Sequence, residues 1–247
     1  MGGRLRPGSP DYTGGVFVKT CIDAGHGGKD PGATGGGFVE KVLAWQIASR
    51  LAGLLRSSGH EVCETRPKLS DGDGLPYDTT RRRQIALESE LLVSIHINAY
   101  DAPEAHGAEV FVRKNANAKN IAIADAVQAS MVTFGFRDRG VKRENEGVHS
   151  SLAVLHFTPM AILVETGFLT CPGDRMRIDE PGEQDALAYA IAMPVLKVIG
   201  SPNPLRLMPV DKDVHADEVA ELLLELEHLQ SRGAAIASHL RRLTSQD

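Results

Sequence analysis

The chain has 247 residues, 42% of them hydrophobic, enough to bury one full core of roughly 200 residues and leave an appendage. A formal charge of -5 gives no basic footprint for nucleic acid, and no apolar run reaches the length of a membrane span. Cys21, Cys63 and Cys171 lack the spacing of a metal or disulfide framework, which predicts free thiols in a reducing compartment.

In chain order, "MGGRLRPGSPDYTGG" (1–15) reads as a flexible arm without the apolar stretch of a secretion signal, and Arg6 stands at the position that myristoylation reserves for Ser or Thr. The expected site of synthesis is therefore the cytoplasm. "VFVKTCIDA" (16–24) is a β-branched run ending in glycine, the pattern of a buried strand. A glycine-rich loop follows, and then "EKVLAWQIASRLAGLLRSSG" (40–59) places Val42, Leu43, Ile47, Leu51, Leu54 and Leu55 on one helical stripe that Gly59 stops. "HEVCETR" (60–66) alternates as a strand, "TTRRRQIALES" (79–89) reads as a helix capped by Thr79 or Thr80, and "LLVSIHIN" (91–98) is an apolar strand interrupted by one histidine. "AEVFVR" (108–113), a helix over 116–133, "AILVETGF" (161–168) and a helix over 183–199 continue the alternation. Strand and helix in turn predict an α/β domain over 16–200, a mostly parallel, mixed sheet with helices on both faces.

"GSPNPLRLMPVD" (200–211) carries three prolines and ends that domain, so 201–212 reads as a linker. Beyond it, over 213–247, Leu222, Leu226, Leu229, Gly233, Ile236, Leu240 and Leu243 form a heptad-like seam. Residues 213–227 hold six acids and no base, while 228–242 hold three arginines and no acid. That segregation suits antiparallel pairing, as a hairpin bent at 231–233 or between two chains, and makes self-association through these helices an expectation.

Ligands of an open parallel sheet bind beyond the carboxyl ends of its strands. His26 falls just past the first strand, His96 near the end of the third and Glu165 toward the end of "AILVETGF"; Glu40 opens the helix after the glycine loop. Two imidazoles and a carboxylate are the donor set of a catalytic zinc site with a position left for water. A further carboxylate must then move the proton, and Glu165, costly to bury in an apolar strand unless it has a role, is the candidate. Glu40 reads equally as a ligand or as an acidic residue complementing the helix dipole. His106, His149 and His156 could line the cleft.

"IDAGHGGKDPGATG", "VEK", "VSIHINA" and "ILVETGFLT" together resemble the catalytic domain of the zinc-dependent N-acetylmuramoyl-L-alanine amidases of the amidase-3 type, found in autolysins and phage lysins. The four blocks span about 16–200 in the family's order. The resemblance implies that His26, Glu40 and His96 bind zinc, that Glu165 is the catalytic acid and base, and that the substrate is peptidoglycan, cut between the lactyl group of N-acetylmuramic acid and L-alanine. With no secretion signal read, a phage lysin released through a holin is the expected variant of such an enzyme, and an autolysin with an unusual export route the second. "IALESE" departs from the Ala-Asn and Ala-Asp pairs usual there, a matter of packing, and the short span from His96 to Glu165 leaves little room for an inserted regulatory helix. The loop glycines "GHGG" and "GATGGG" would let His26 turn inward and leave space for the glycan. A non-catalytic wall-binding module and a zinc peptidase acting on another amide are the competing readings.

Overall fold

The computed structural model describes residues 18–70, 79–100, 102, 104–146 and 151–200. The expected arm at 1–15, linker at 201–212 and helical extension at 213–247 lie outside these residues. Described strands are β1 (Thr20–Ala24), β2 (Thr34–Gly35), β3 (Phe38–Val39), β4 (Val62–Glu64), β5 (Leu91–Asn98), β6 (Ala108–Val112), β7 (Asp138–Arg143) and β8 (Met160–Phe168). Helices are α1 (Glu40–Ser57), α2 (Thr79–Ala86), α3 (Ala118–Phe134), α4 (Pro172–Asp179) and α5 (Pro181–Ile199), with a 3-10 turn at Ala153–His156.

Six strands form one sheet in the order β4-β1-β5-β8-β6-β7. β4, β1, β5 and β8 run parallel, and β6 opposes β8 before β7 continues parallel to β6. The mixed sheet expected from the alternation is present. β7, "DRGVKR", gives no apolar signal because it is an edge strand rich in charge, and α4 is too short to announce a stripe.

Side chains alternate across the strands, and that alternation divides the core. Ile22 and Ala24 of β1, Val93, Ile95 and Ile97 of β5, and Ile162 and Val164 of β8 meet α1, α3 and α5 in the larger apolar cluster. Cys21, Leu92, Phe111, Ala161 and Leu163 point the other way, under α2 and the 3-10 turn, in a smaller cluster. Helices thus cover both faces, unequally. α3 begins where Asn117 accepts the Asn120 amide at 2.8 Å and ends at Gly135 in the left-handed conformation, φ 113°. Thr79 and Thr80 are the first two residues of α2 rather than its cap. Cys21, Cys63 and Cys171 are free thiols. None of the described helices is long and apolar enough to cross a membrane.

Candidate metal and catalytic site

The smaller-cluster face becomes polar at the carboxyl ends of β1, β5 and β8. Asp23 follows Cys21, Ser94 and His96 follow Leu92, and Glu165 follows Leu163, each at the next position of the same face. Register sets them side by side: Asp23 beside Ser94, and His96 beside Glu165.

His26 stands two residues past β1 with φ 58°, a left-handed conformation that a side chain other than glycine adopts at a cost. Several bonds hold it there. Arg82 of α2 donates to the carbonyls of Ala24, at 2.7 Å, and of His26, while its charge meets Asp23 Oδ1 at 2.6 Å. Thr65 and Ser94 hydroxyls also donate to Asp23, at 2.6 and 2.5 Å. Arg66, 1% exposed, donates to the Gly25 and Lys41 carbonyls and ties the loop to the start of α1. Asp23 is buried, which raises a carboxyl, yet Arg82, Ser94 and Thr65 together hold it below its ordinary value.

Glu40 is the first residue of α1, and its carboxylate bends back over the helix start. Oε2 accepts the Ala33 amide at 2.8 Å and Oε1 the Ile97 amide at 3.0 Å. The same Oε1 lies 3.1 Å from His26 Nε2 and 3.0 Å from His96 Nδ1. The two imidazoles meet edge to face with centroids 5.0 Å apart. Donor atoms of His26, Glu40 and His96 all fall within 4.8 Å of one another. Two glycines make this packing possible: a Cβ on Gly25 would lie 2.6 Å from the His96 ring, and one on Gly32, at φ 66°, 2.6 Å from both Glu40 Oε2 and the His26 ring. The run "GATGGG" turns the β2–β3 hairpin through Gly36 and Gly37, and a Cβ on Gly37 would meet nothing within 4 Å.

The electrostatics follow from this crowding. Burial lowers His26, but the Glu40 and Asp30 carboxylates carry it up to about 9; Asp30 Oδ2 sits 2.9 Å from its Nδ1. His96 is raised by Glu40 against its own burial, and Glu40 is driven well below the carboxylate range by the two imidazoles although burial opposes. Thr166 Oγ1 donates to the His96 carbonyl at 3.0 Å and fixes the strand beneath the ring.

Glu165 is different in kind. Its Oε2 is sealed from solvent and has no hydrogen-bond partner among the described residues. Burial pushes its carboxyl up to about 7; His96 draws it down, and Glu40 and Glu109 push it up further. A carboxyl poised near neutrality beside a cluster of metal-type donors can exchange protons with a bound reactant.

The structure therefore brings His26, Glu40, His96 and Glu165 to one rim. His106 Nδ1 contacts its neighbour Glu104's carbonyl, His156 pairs with Glu144 at 2.9 Å, His60 is buried between α1 and β4, and His149 lies outside the described residues. Sequence reasoning passed over Asp23, Asp30, Arg66, Arg82 and Glu109. Asp23 had a signal, a carboxylate inside an apolar strand, and the three consecutive arginines of α2 had another, since helical spacing turns only one of them inward.

Residues 20–197 match the family model described as N-acetylmuramoyl-L-alanine amidase, Amidase_3. The N-acetylmuramoyl-L-alanine amidase LytC of Bacillus subtilis is 32% identical over 175 residues, covering 69% of this chain and 33% of that protein, so the match takes in only about a third of that relative. The endolysin of Bacillus phage SPP1 is 31% identical over 153 residues, 60% of this chain and 54% of its own. Among solved structures, the N-acetylmuramoyl-L-alanine amidase AmiC2 of Nostoc punctiforme superposes with a TM-score of 0.64 at 31% identity, covering 74% of this chain and 98% of that one.

Proposed function

The chain belongs to the Amidase_3 family of N-acetylmuramoyl-L-alanine amidases, and from that premise we propose that it hydrolyses the amide between the lactyl group of N-acetylmuramic acid and the L-alanine of the peptidoglycan stem peptide. The observation that carries this reading is the convergence of the His26, Glu40 and His96 donors within 4.8 Å beside the Glu165 carboxyl, whose Oε2 is buried without a hydrogen-bond partner among the described residues.

His26, Glu40 and His96 fit a zinc ion by their chemistry, two imidazoles and a carboxylate on one point, with Oε1 of Glu40 shared between both rings. When bound, Zn²⁺ supplies Lewis-acid polarisation of the amide carbonyl and makes a water acidic enough to attack at neutral pH. Asp30 fixes the orientation of the His26 ring from behind, as outer partners of ligating histidines do. Glu165 takes the proton from the attacking water and delivers it to the departing nitrogen, so that L-alanine leaves as an amine. Ala161 and Leu163 precede Glu165 on the same face of β8 and are buried in the smaller apolar cluster.

As setting we propose a lysin that reaches the wall through a holin, a reading supported by the likeness to the SPP1 endolysin; an autolysin is the alternative, supported by the likeness to LytC. Lysis of cells producing the chain only when a holin is co-produced would favour the first. For residues 213–247 we propose pairing between helices. A monomer in sedimentation whose lysis survives truncation after residue 205 would end that proposal.

The deciding experiment incubates the protein with purified peptidoglycan, with chelator and with zinc restored, and reads the new ends by mass spectrometry. Free L-alanine amino termini that vanish with chelator and return with zinc are expected. Cleavage at another amide would move the substrate to the peptidase reading, and an intact wall with protein bound would leave only a binding module.

A further inference from the structure

Across β6 from Glu165 stands its register partner, Glu109, on the same face of the sheet. Phe111 and its partner Lys142 on β7 project from that face too, two residues further along. Glu109 is a buried carboxylate, 3% exposed, and it is fully engaged. Oε1 accepts from Asn98 Nδ2 at 2.7 Å; Oε2 accepts from Arg139 Nε at 3.2 Å and from Lys142 Nζ. The two cations outnumber the one carboxylate. Their side chains are 28% and 29% exposed, so both still reach solvent. Aromatic rings steady them as well, Phe168 beneath Arg139 at 4.8 Å and Phe111 beneath Lys142 at 5.8 Å. An ammonium offers three donors and a guanidinium five, and Glu109 takes one from each.

Position decides what this pair can serve. On one side of Glu165 lie His96, Glu40 and His26, so a peptide whose nitrogen receives the Glu165 proton leaves toward β6 and β7. Strands stand about 4.8 Å apart, which puts β7 roughly 10 Å from β8, and an extended peptide advances about 3.3 Å per residue. The second and third residues of the peptide then lie over β6 and β7. We propose that Arg139 and Lys142, positioned by Glu109, bind a carboxylate of the stem peptide and so select the acidic peptide part of the substrate. This inference rests on the amidase reading and adds to it a specificity subsite.

The test compares two soluble muropeptides, one with free peptide carboxylates and one with the same carboxylates amidated. Wild-type protein is expected to cleave the acidic form with a kcat/KM about tenfold higher, carried by KM and diminished by added salt, as a partly exposed charge-assisted contact requires. Arg139→Gln and Lys142→Gln should bring the acidic form down to the level of the amidated one, while Lys142→Arg keeps the preference. Melting temperature and bound zinc report whether each variant is folded. If Arg139→Gln does not fold, Lys142→Gln alone decides. Equal cleavage of both muropeptides by the wild type, or an intact preference in folded variants, overturns the subsite and leaves the amidase reading standing. Cleavage of neither form overturns both.

Discussion

The two faces of the central sheet are drawn from the same strands, residue by residue in alternation, and they are put to opposite uses. Ile22, Val93, Ile95, Ile162 and Val164 face α1, α3 and α5 and are fully buried apolar groups, each stabilising the fold by roughly 1.5–3 kcal/mol. Their neighbours Asp23, Ser94, His96 and Glu165 face the other way, where α2 and a 3-10 turn cover less. A slip of one residue in register would exchange the two sets. The first face therefore holds the second in register, and the second can carry groups that are unfavourable to bury.

The sharpest break falls on the site face. Glu165→Gln is expected to lower kcat by about 10²- to 10⁴-fold while zinc stays bound, whereas His26→Ala, Glu40→Ala and His96→Ala lose zinc and rate together. Metal analysis beside kinetics checks this, and substantial turnover by zinc-loaded Glu165→Gln would mean that another group moves the proton.

Next in size is the support beneath His26. Asp23→Ala removes the carboxylate that Arg82, Thr65 and Ser94 share, and urea unfolding should show a loss of about 3–5 kcal/mol, as for other broken buried ion pairs. The folded-state value of Asp23 is depressed, so its contribution is complete above its ordinary 3.8 and fades as pH falls through and below that value. The wild type should thus lose more stability than Asp23→Ala on acidification.

Ile162→Ala tests the opposite face. It should cost about 2–5 kcal/mol by urea unfolding and leave kcat per folded, zinc-loaded molecule unchanged. A fall in kcat without a fall in stability would erase the division between the faces.

A further effect concerns Glu165 without metal. Its carboxyl stands at about 7 in the folded chain against an ordinary 4.5, so between those values the unfolded chain has released a proton that the folded one keeps. Stability of the chelated protein should fall as pH rises across that interval, and Glu165→Gln should gain on the order of 3 kcal/mol over wild type at pH 8 and much less at pH 5. Melting curves in chelator that superpose at both pH values would show that the carboxyl is not desolvated.

Much of this was legible in the sequence because burial leaves a local mark. His96 and Glu165 interrupt apolar strands, His26 sits among seven glycines between residues 21 and 41, and the 3.6-residue stripe of α1 is unambiguous. The strand order past β8 was not legible. β6 reads as one more strand in the alternation, and nothing local states that it runs against β8 while β7, polar and at the edge, runs beside it. Glu109 was invisible for the same reason, since an acid in an alternating strand looks like a solvent-facing residue until its neighbours are known.

Composition and period by themselves determined the α/β class, most of the strands and helices, and the two polar residues, His96 and Glu165, that interrupt apolar strands. Only tertiary structure decided that Glu40 Oε1 lies between two imidazoles, that Arg82 holds the His26 loop through Asp23, and that Glu109, the register partner of Glu165, engages Arg139 and Lys142. The physical reason is range. Hydrophobic period acts between residues a few positions apart, whereas these contacts join residues 14 to 59 positions apart and exist only once the register of the sheet is set.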